Sequence, residues 1–433
     1  MRHWFRDQHF RSLLKNSGYL GASQAVAAVT SLAALALAGW SLGVELVGLL
    51  ILIHSYVDAA SNLSKFQSWQ LVVRYGGQVL VSDDPSEFKA ATGFSIGLDM
   101  ISSVIGMIGA MLLLPILGPR FGIPSQDMMM ALVYCTLIPT YASMTPSGVL
   151  RVLDRFDLIS WQGTIQPISR AILGGIAWAA HAPFIAWLAI WYVTSMGSDL
   201  YFWFVAWRQM KRRNLHRGVR PILRPTQLPG AWRFAIHVNL TSSLSGAWAP
   251  VSRLIVGGLL GRSATALYAI ASNLADAAQK PTNLLARAFY PEVARMDLST
   301  KQPWKLMLRG SAVAGAVGIL AIAIVILGGK PLIGLVFGHR FIPAYSPLMV
   351  MMLMSLMGVI SFPFAPMLYA RDRPEAPLVA RLIGTLVYFA VVAPLCWQFG
   401  LVGAAAAFVI GYAAMFTVLS AQLWREYSRA RRK

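Results

Sequence analysis

Residues 18–40 read GYLGASQAVAAVTSLAALALAGW, a run of twenty-three positions without one charged side chain. An α-helix needs about 20 mostly apolar residues to cross the hydrocarbon core of a bilayer. Basic residues precede the run, and Ala36-Leu37-Ala38 resembles the cleavage site of a secretory signal peptide. The run is longer than the about 7 to 15 apolar residues of such a peptide. We therefore interpret it as an uncleaved first membrane helix.

The rest of the chain is also rich in apolar residues and poor in charged ones. Of its 433 residues, 57% are hydrophobic and 12% are charged, against about 25% charged residues in a soluble domain. The mean hydropathy is +0.59. The sequence therefore predicts an all-α polytopic membrane protein with about twelve transmembrane helices. The predicted spans are 17–40, 44–64, 90–116, 128–150, 158–180, 184–207, 234–259, 264–286, 307–328, 344–370, 376–397 and 401–424.

Lysine and arginine lie mostly on one side of these spans. Of the basic residues in the connecting segments and near the helix ends, 31 fall on the side of the N-terminus and four on the other. The four are Arg120, Arg262, Lys330 and Arg340. Because basic residues near helix ends are retained in the cytoplasm, we predict a bacterial inner-membrane protein with both termini cytoplasmic. The net charge of +20 then faces anionic lipid head groups, and we expect no nucleic-acid partner.

The chain also divides into two halves. The basic, proline-containing segment at about 208–233 separates six predicted helices from six. A shift of 218 residues places Leu42-Gly43 on Leu260-Gly261 and Asp58-Ala59-Ala60 on Asp276-Ala277-Ala278. A parallel repeat of this kind places a substrate site between two lobes near the membrane midplane. We predict lobes at 1–215 and 216–433, joined by this linker.

We single out seven ionisable side chains within the predicted helices, where a charge is costly unless it faces water or a partner. They are Asp58, Asp99, Arg170, Asp199, Arg253, Asp276 and Lys280. Together they predict a water-filled cavity between the lobes. Asp58 is favoured as a cavity residue because it recurs in the repeat as Asp276.

For the other ionisable residues, a purely structural role inside the membrane stays an open alternative. Asp276 and Lys280 are four residues apart and can neutralise each other on one helical face. Arg170 and Asp99 can pair across helices within one lobe. Arg253 lies near the outer end of its helix, from which its side chain can extend to the interface.

Uncharged polar residues are dense on the two helices that lead the halves. Gln24 on the first helix and Asn239 and Ser243 on the seventh are the predicted polar wall of the cavity. Such side chains tighten helix contacts or hydrogen-bond sugars. Cys135 and Cys396 are interpreted as packing residues.

No enzyme signature accompanies these features. The sequence contains no P-loop, no metal-binding spacing of Cys or His, and no G-x-S-x-G motif. We therefore predict no catalytic residues, no metal and no cofactor.

Four stretches resemble the polysaccharide transporter family. These O-antigen flippases belong to the multidrug/oligosaccharidyl-lipid/polysaccharide (MOP) exporter superfamily. The stretches are FQSWQLVVRYG at 66–76, the segment from Tyr268 to Arg295 that ends in RAFYPEVAR, LVFGHRFIPA at 335–344 and GLVGAAAAFVIGY at 400–412. The resemblance implies two six-helix bundles that form a V around a central cavity. One departure is Ser252, since family members often carry an acidic residue before the arginine that corresponds to Arg253.

The resemblance implies a flippase for a lipid-linked oligosaccharide, carried on undecaprenyl pyrophosphate, that works by alternating access in O-antigen or exopolysaccharide biosynthesis. Its expected partners are this substrate, membrane lipids and a glycan polymerase. A pyrophosphate needs cationic hydrogen-bond donors. The candidates are Arg170, Arg253, Lys280 and Lys65. The alternatives are a multidrug exporter of the same superfamily and a membrane-bound glycan polymerase or ligase.

Asp58 and Asp276 are the candidates for ion coupling. Each lies about 18 to 21 Å from the outer end of its helix, past the middle of a core about 30 Å thick. Desolvation at that depth favours an uncharged carboxyl, which can carry a proton as the lobes move. Asp58 is the better carrier, because Lys280 lies one helical turn from Asp276. Simple solvation of both carboxylates is the alternative.

Overall fold

The computed structural model describes residues 8–432 except 78, 80–83, 142–143, 295, 297–299, 372 and 374. The side chains of 8–20, 237–238, 240–242, 244–245, 280–285, 287–288, 290–292, 294 and 430–432 also lie outside the description. Within the described residues every regular element is a helix. The chain is therefore an all-α polytopic membrane protein, as predicted.

Fourteen α-helices follow one another along the described residues. They are α1 (Gln8–Ser64), α2 (Ser68–Gly76), α3 (Ser86–Leu117), α4 (Met128–Cys135), α5 (Ile138–Tyr141), α6 (Thr145–Val152), α7 (Phe156–Ala179), α8 (Phe184–Arg212), α9 (Ala231–Leu260), α10 (Arg262–Ala294), α11 (Gln302–Phe337), α12 (Tyr345–Ile360), α13 (Phe364–Ala370) and α14 (Glu375–Arg432).

Glycines break the two longest helices. A straight helix of 57 residues, the length of α1, would measure about 85 Å, nearly three times the thickness of a bilayer core. Gly43, with φ +74°, interrupts α1, and Gly400, with φ +56°, interrupts α14. Glycine tolerates this backbone conformation because it has no Cβ. Each helix therefore makes two crossings.

Twelve crossings follow if α4–α6 and α12–α13 each form one bent crossing. Within the described residues, five helical stretches are long and apolar enough to cross a membrane, and the bent pair that runs from 125 to 152 adds a sixth. The helices α7, α8, α9 and α10 are not among them, although their 24, 29, 30 and 33 residues are long enough to span. Of these, α7 and α8 carry buried or half-buried polar side chains along their length, and these lower their hydropathy.

Helix contacts divide the chain into two compact units. The first extends to Leu42 and continues over Leu49–Ile255, and the second comprises Gly43–Gly48 and the chain from Val256 onward. The division at 255–256 differs from the lobe boundary predicted at 215–216. Hydrophobic packing explains the difference, because residues 228–235 of the linker and α9 pack with Leu71 of α2 and Phe94 of α3.

The short segment 43–48 joins the second unit through α10. Glu45 forms an ion pair of 2.8 Å with Arg262, and Gly48 lies against the carbonyl group of the same arginine.

The backbone supports the predicted repeat. Gly43 and Gly261 are equivalent under the shift of 218 residues, and both have positive φ, +74° and +87°. Each lies at the break that follows the leading helix of its half.

The helix α2 is an element that the sequence analysis did not predict. Its nine residues are too few to span, but Leu71 and Val72 are buried. They join hydrophobic clusters with residues of α3 and α6. The helix α2, which follows the second crossing, thus packs against the third crossing and the fourth.

Candidate functional site

The second crossing of α1 carries three polar side chains on one face. His54, Asp58 and Asn62 are spaced by four residues, the spacing that aligns side chains on a helix. The Asn62 side-chain amide donates to Asp58 Oδ1 at 3.0 Å and to the Asp58 carbonyl at 2.8 Å. His54 Nδ1 lies 3.0 Å from the Tyr134 hydroxyl, and the His54 ring makes an edge contact with the Tyr141 ring.

A second polar face runs along α7 toward α8. Gln162, Gln166 and Arg170 also follow one another at intervals of four. Gln162 Nε2 donates to Ser198 Oγ at 3.2 Å, and Gln166 Nε2 donates to Ser195 Oγ at 2.7 Å. Arg170 Nη2 donates to the same Ser195 oxygen at 2.9 Å.

The Ser195 hydroxyl is the point where these groups meet. Besides Gln166 and Arg170, the Tyr141 hydroxyl donates to it at 2.6 Å, and Ser195 itself donates to the Trp191 carbonyl at 2.7 Å. A hydroxyl oxygen has two lone pairs. Three donors therefore compete for two acceptor positions, so this part of the first unit has a surplus of donors.

Three of the four predicted cations lie around these faces. The charges of Arg170 and Arg253 both act on the His54 ring, and those of Lys65 and Arg253 act on Asp58. The Arg170 guanidinium also lies 4.7 Å from the centre of the Trp191 ring. Among the described residues, neither Lys65 nor Arg170 has a carboxylate within 4 Å. We call Asp58, Lys65, Arg170, Ser195 and Arg253 the polar cluster of the first unit.

Asp99 has a structural role. Its Oδ2 accepts hydrogen bonds from Met144 N at 3.0 Å, Thr145 N at 2.9 Å and Thr145 Oγ1 at 2.7 Å. These groups lie at the N-terminus of α6, where free backbone N–H groups favour an anion. Asp99 is thus a helix cap, and the alternative in which it pairs with Arg170 is wrong.

Asp199, on α8, is the second carboxylate that acts on Lys65. Its Oδ2 atom is buried and has no hydrogen-bond partner within the described part of the chain.

The remaining predicted site residues of the first unit lie on its leading helices. Gln24 is half-buried on α1. Asn239 and Ser243 are half-buried on α9, and Ser243 Oγ donates to Asn239 Oδ1 at 3.3 Å. The structure does not place these three in the polar cluster, and their role as a polar wall stays a prediction.

The second unit has a polar group of its own. Asp276 of α10 and Arg381 both lie within electrostatic range of the Tyr412 hydroxyl. Tyr412 and Arg381 belong to the two arms of α14. Each unit therefore combines an aspartate from its second crossing with an arginine from its fifth. The side chain of Lys280 lies outside the described residues, so its predicted role stays a prediction.

Sequence reasoning missed several of these residues. Arg381 had been counted with the basic residues at the cytoplasmic helix ends, but it lies six positions inside α14. Tyr141, Gln166 and Ser195 carry no charge and match no motif. The one available signal was the four-residue spacing of Gln162, Gln166 and Arg170.

The described residues contain no group of three or more His, Cys, Asp or Glu side chains that could hold a metal ion. Cys135 and Cys396 are both buried and free.

Comparison with known proteins gives the fold and the family. No protein-family model matches the chain. A multidrug resistance MATE family transporter of the MOP superfamily, solved in an inward-facing conformation, superimposes with a TM-score of 0.75 at 15% identity, over 93% of this chain and 96% of that one. The lipid II flippase MurJ in an inward closed conformation superimposes with a TM-score of 0.70 at 13% identity, over 95% of this chain and 89% of that one. The chain therefore has the fold of MOP-superfamily transporters.

One curated protein is much closer in sequence. The inner membrane protein YghQ of Escherichia coli strain K12 is 40% identical over 349 residues, which cover 80% of this chain and 98% of that protein. At this identity and coverage, the chain belongs to the family of the inner membrane protein YghQ.

Proposed function

We propose that the chain is a flippase that moves an oligosaccharide, linked to a lipid through pyrophosphate, across the inner membrane. The observation that carries this proposal is the excess of cations and hydrogen-bond donors in the polar cluster of the first unit. Three donors meet at Ser195, and Lys65 and Arg170 have no paired carboxylate among the described residues. A pyrophosphate supplies the acceptor oxygens and the negative charge that this arrangement lacks.

The side chains of the cluster and the neighbouring polar face of α7 suit different parts of such a substrate. The planar guanidinium of Arg170 can bind two phosphate oxygens at once, whereas Lys65 acts as a point charge. Gln162 and Gln166 on the same face of α7 present amide groups to sugar hydroxyls. The lipid chain, undecaprenyl in our proposal, stays in the bilayer while the two units alternate access.

The relatives support this substrate class without fixing it. One protein of the same fold is named a lipid II flippase, so the fold accommodates a lipid-linked substrate elsewhere. The O-antigen or exopolysaccharide pathway rests on the sequence resemblance to polysaccharide transporters. A glycan polymerase is then the expected partner that receives the flipped product.

The multidrug exporter is the second candidate, because MATE transporters share the fold. Export of a lipophilic cation requires an acidic or aromatic site. The charges of Lys65, Arg170 and Arg253 in the cluster repel such a ligand. A polymerase or ligase is disfavoured, because those reactions need a sizeable domain outside the membrane, and the loops predicted to face outward are short.

A deletion strain tests the proposal. We expect loss of the gene to accumulate a lipid-linked oligosaccharide in the cytoplasmic leaflet and to remove the corresponding surface polysaccharide. The parent gene and Arg208→Gln, an exposed control on α8, should restore export. Arg170→Gln should lower it at least tenfold at equal membrane level, since hydrogen bonds to charged groups contribute about 1.5–3 kcal/mol. Full export by an Arg170, Arg253 and Lys280 triple glutamine variant would show that these cations do not bind the substrate.

A further inference from the structure

A groove runs along the surface of the second unit between α11 and α12. Its volume is about 400 Å³, and Ala278 of α10 forms part of its floor. Val313 and Val317, 68% and 61% exposed, form one rim, and Leu356 lines the opposite wall. All but a few of the lining side chains are apolar, so the groove matches a hydrocarbon chain.

Small residues of α11 let the neighbouring side chains pack closely along the groove. Gly310, Ala314 and Gly318 follow one another at intervals of four on α11 and line the groove. A Cβ atom on Gly318 would come 2.9 Å from Leu356 Cδ1, and one on Gly310 would lie 3.3 Å from the Phe362 ring. The groove extends along α11 from position 309 to 321, about 18 Å at the helical rise. One leaflet of a bilayer core is about 15 Å deep.

Three cations stand at one end of the groove. Lys301, Lys305 and Arg309 are all exposed and are spaced by four residues, so they share one face of the helix start. Arg309 also lines the groove. Within the described residues, none of the three forms an ion pair.

Their position makes an anionic partner favourable. Cations in the first turns of a helix oppose the helix dipole, whose N-terminal end is positive. A phosphate group at this position would compensate both the dipole and the three side chains. The charged end and the apolar groove therefore match the two parts of one molecule, an anionic phospholipid.

We propose that this groove is a binding site for an anionic phospholipid of the leaflet next to the N-terminus of α11. The head-group phosphate lies among Lys301, Lys305 and Arg309, and one acyl chain fills the groove past Val313 and Val317. By the predicted topology this is the cytoplasmic leaflet. The site is separate from the polar cluster of the first unit and does not depend on what the protein transports.

Native mass spectrometry of the full chain in a neutral detergent tests the charged end. The probe is phosphatidylglycerol, compared with phosphatidylcholine of the same acyl chains. We expect the parent to retain phosphatidylglycerol preferentially. The Lys301→Gln, Lys305→Gln, Arg309→Gln triple variant should bind it on the order of a hundredfold more weakly, because each such cation contributes about fivefold. The control triple Arg208→Gln, Lys211→Gln, Arg212→Gln removes the same charge from the end of α8 and should stay within about twofold of the parent.

Two further variants test the apolar groove that the acyl chain is proposed to fill. Val317→Trp and Val313→Trp keep all three cations and fill the groove from its exposed rim, where they disturb no buried packing. Both should lose at least about tenfold in phosphatidylglycerol binding. Equal retention of the two lipids by the parent would overturn the proposal. So would parental phosphatidylglycerol binding by the glutamine triple variant or by both tryptophan variants.

Discussion

At the scale of single residues, Ser195 explains why the first unit suits a ligand rich in oxygen atoms. Its hydroxyl receives donors from Tyr141, Gln166 and Arg170 at 2.6–2.9 Å. With two lone pairs available, a ligand that supplies further acceptors relieves the competition. The guanidinium of Arg170 can then move to the ligand without leaving Ser195 unsatisfied.

Asp58 is the residue that we propose for ion coupling, with Asp276 as the second candidate. The change Asp58→Asn preserves the size of the side chain but removes its ability to exchange a proton. In vesicles under an imposed pH gradient, we expect this variant to lose the acceleration of transport that the gradient gives the parent. Asp276→Asn should retain part of this acceleration. Glu87→Gln, which changes an exposed acid at the start of α3, should retain all of it. If Asp58→Asn responds to the gradient as the parent does, the coupling role is wrong.

Asp99 is expected to contribute to stability. Its carboxylate accepts three hydrogen bonds at the start of α6, and bonds to a charged group contribute about 1.5–3 kcal/mol each when one partner is removed. We predict that Asp99→Ala lowers the free energy of unfolding by about 2–4 kcal/mol, measured by thermal unfolding in detergent. Ser103→Ala, on the same helix, removes only a bond to the Met100 carbonyl and should cost less than about 1 kcal/mol. Equal midpoints for the two variants would contradict the capping role.

At the scale of elements, the helices were predictable because each membrane crossing requires a long apolar run in the sequence. Glycines or basic residues mark the ends of these runs. The crossing bounds in the structure lie mostly within a few residues of the predicted spans. The helix α2 was not predictable by this criterion, since its amphipathic nine residues resemble a loop. The contacts of the linker were missed for a related reason. Its hydrophobic residues Ile222 and Leu228 are scattered among charges, and only the folded chain shows that they pack on α3.

The linker crosses α3 at two glycines. Ile222 N donates to the Gly93 carbonyl at 3.1 Å, and a Cβ on Gly93 would collide with the Arg220 carbonyl. A Cβ on Gly97 would likewise meet the Ile222 carbonyl. Replacement by alanine must therefore displace the linker from the helix.

We predict that Gly93→Ala and Gly97→Ala each destabilise the protein by about 1–3 kcal/mol, the usual cost of overpacking. Trypsin should then cleave the linker several times faster after Arg217, which is followed by Gly218, whereas Arg220 and Arg224 precede prolines and resist the enzyme. Gly109→Ala is the matched control on α3, because nothing lies within 4 Å of its Cβ position. It should be neutral or slightly stabilising. Unchanged linker cleavage in both variants would show that the close approach does not hold the linker.

At the scale of the whole molecule, the fold is shared by proteins named as multidrug transporters and as a lipid II flippase. Fold therefore does not decide the substrate, and the charges of the site must. The sequence indicated Arg170 and Arg253 because intramembrane charge is rare and visible, and it indicated Lys65 as a cation directly after the second predicted span. It did not indicate Ser195 or Tyr141, which acquire their role only where α5, α7 and α8 meet. The V-shaped arrangement and the cytoplasmic termini stay predictions.

The most direct test is transport by the purified chain in liposomes, measured for an undecaprenyl-pyrophosphate-linked oligosaccharide and, in parallel, for a lipophilic cation. We predict that the parent moves the lipid-linked sugar between leaflets, that Arg170→Gln slows this movement at least tenfold, and that neither protein exports the cation. Export of the cation by the parent, with no movement of the lipid-linked sugar, would contradict the account.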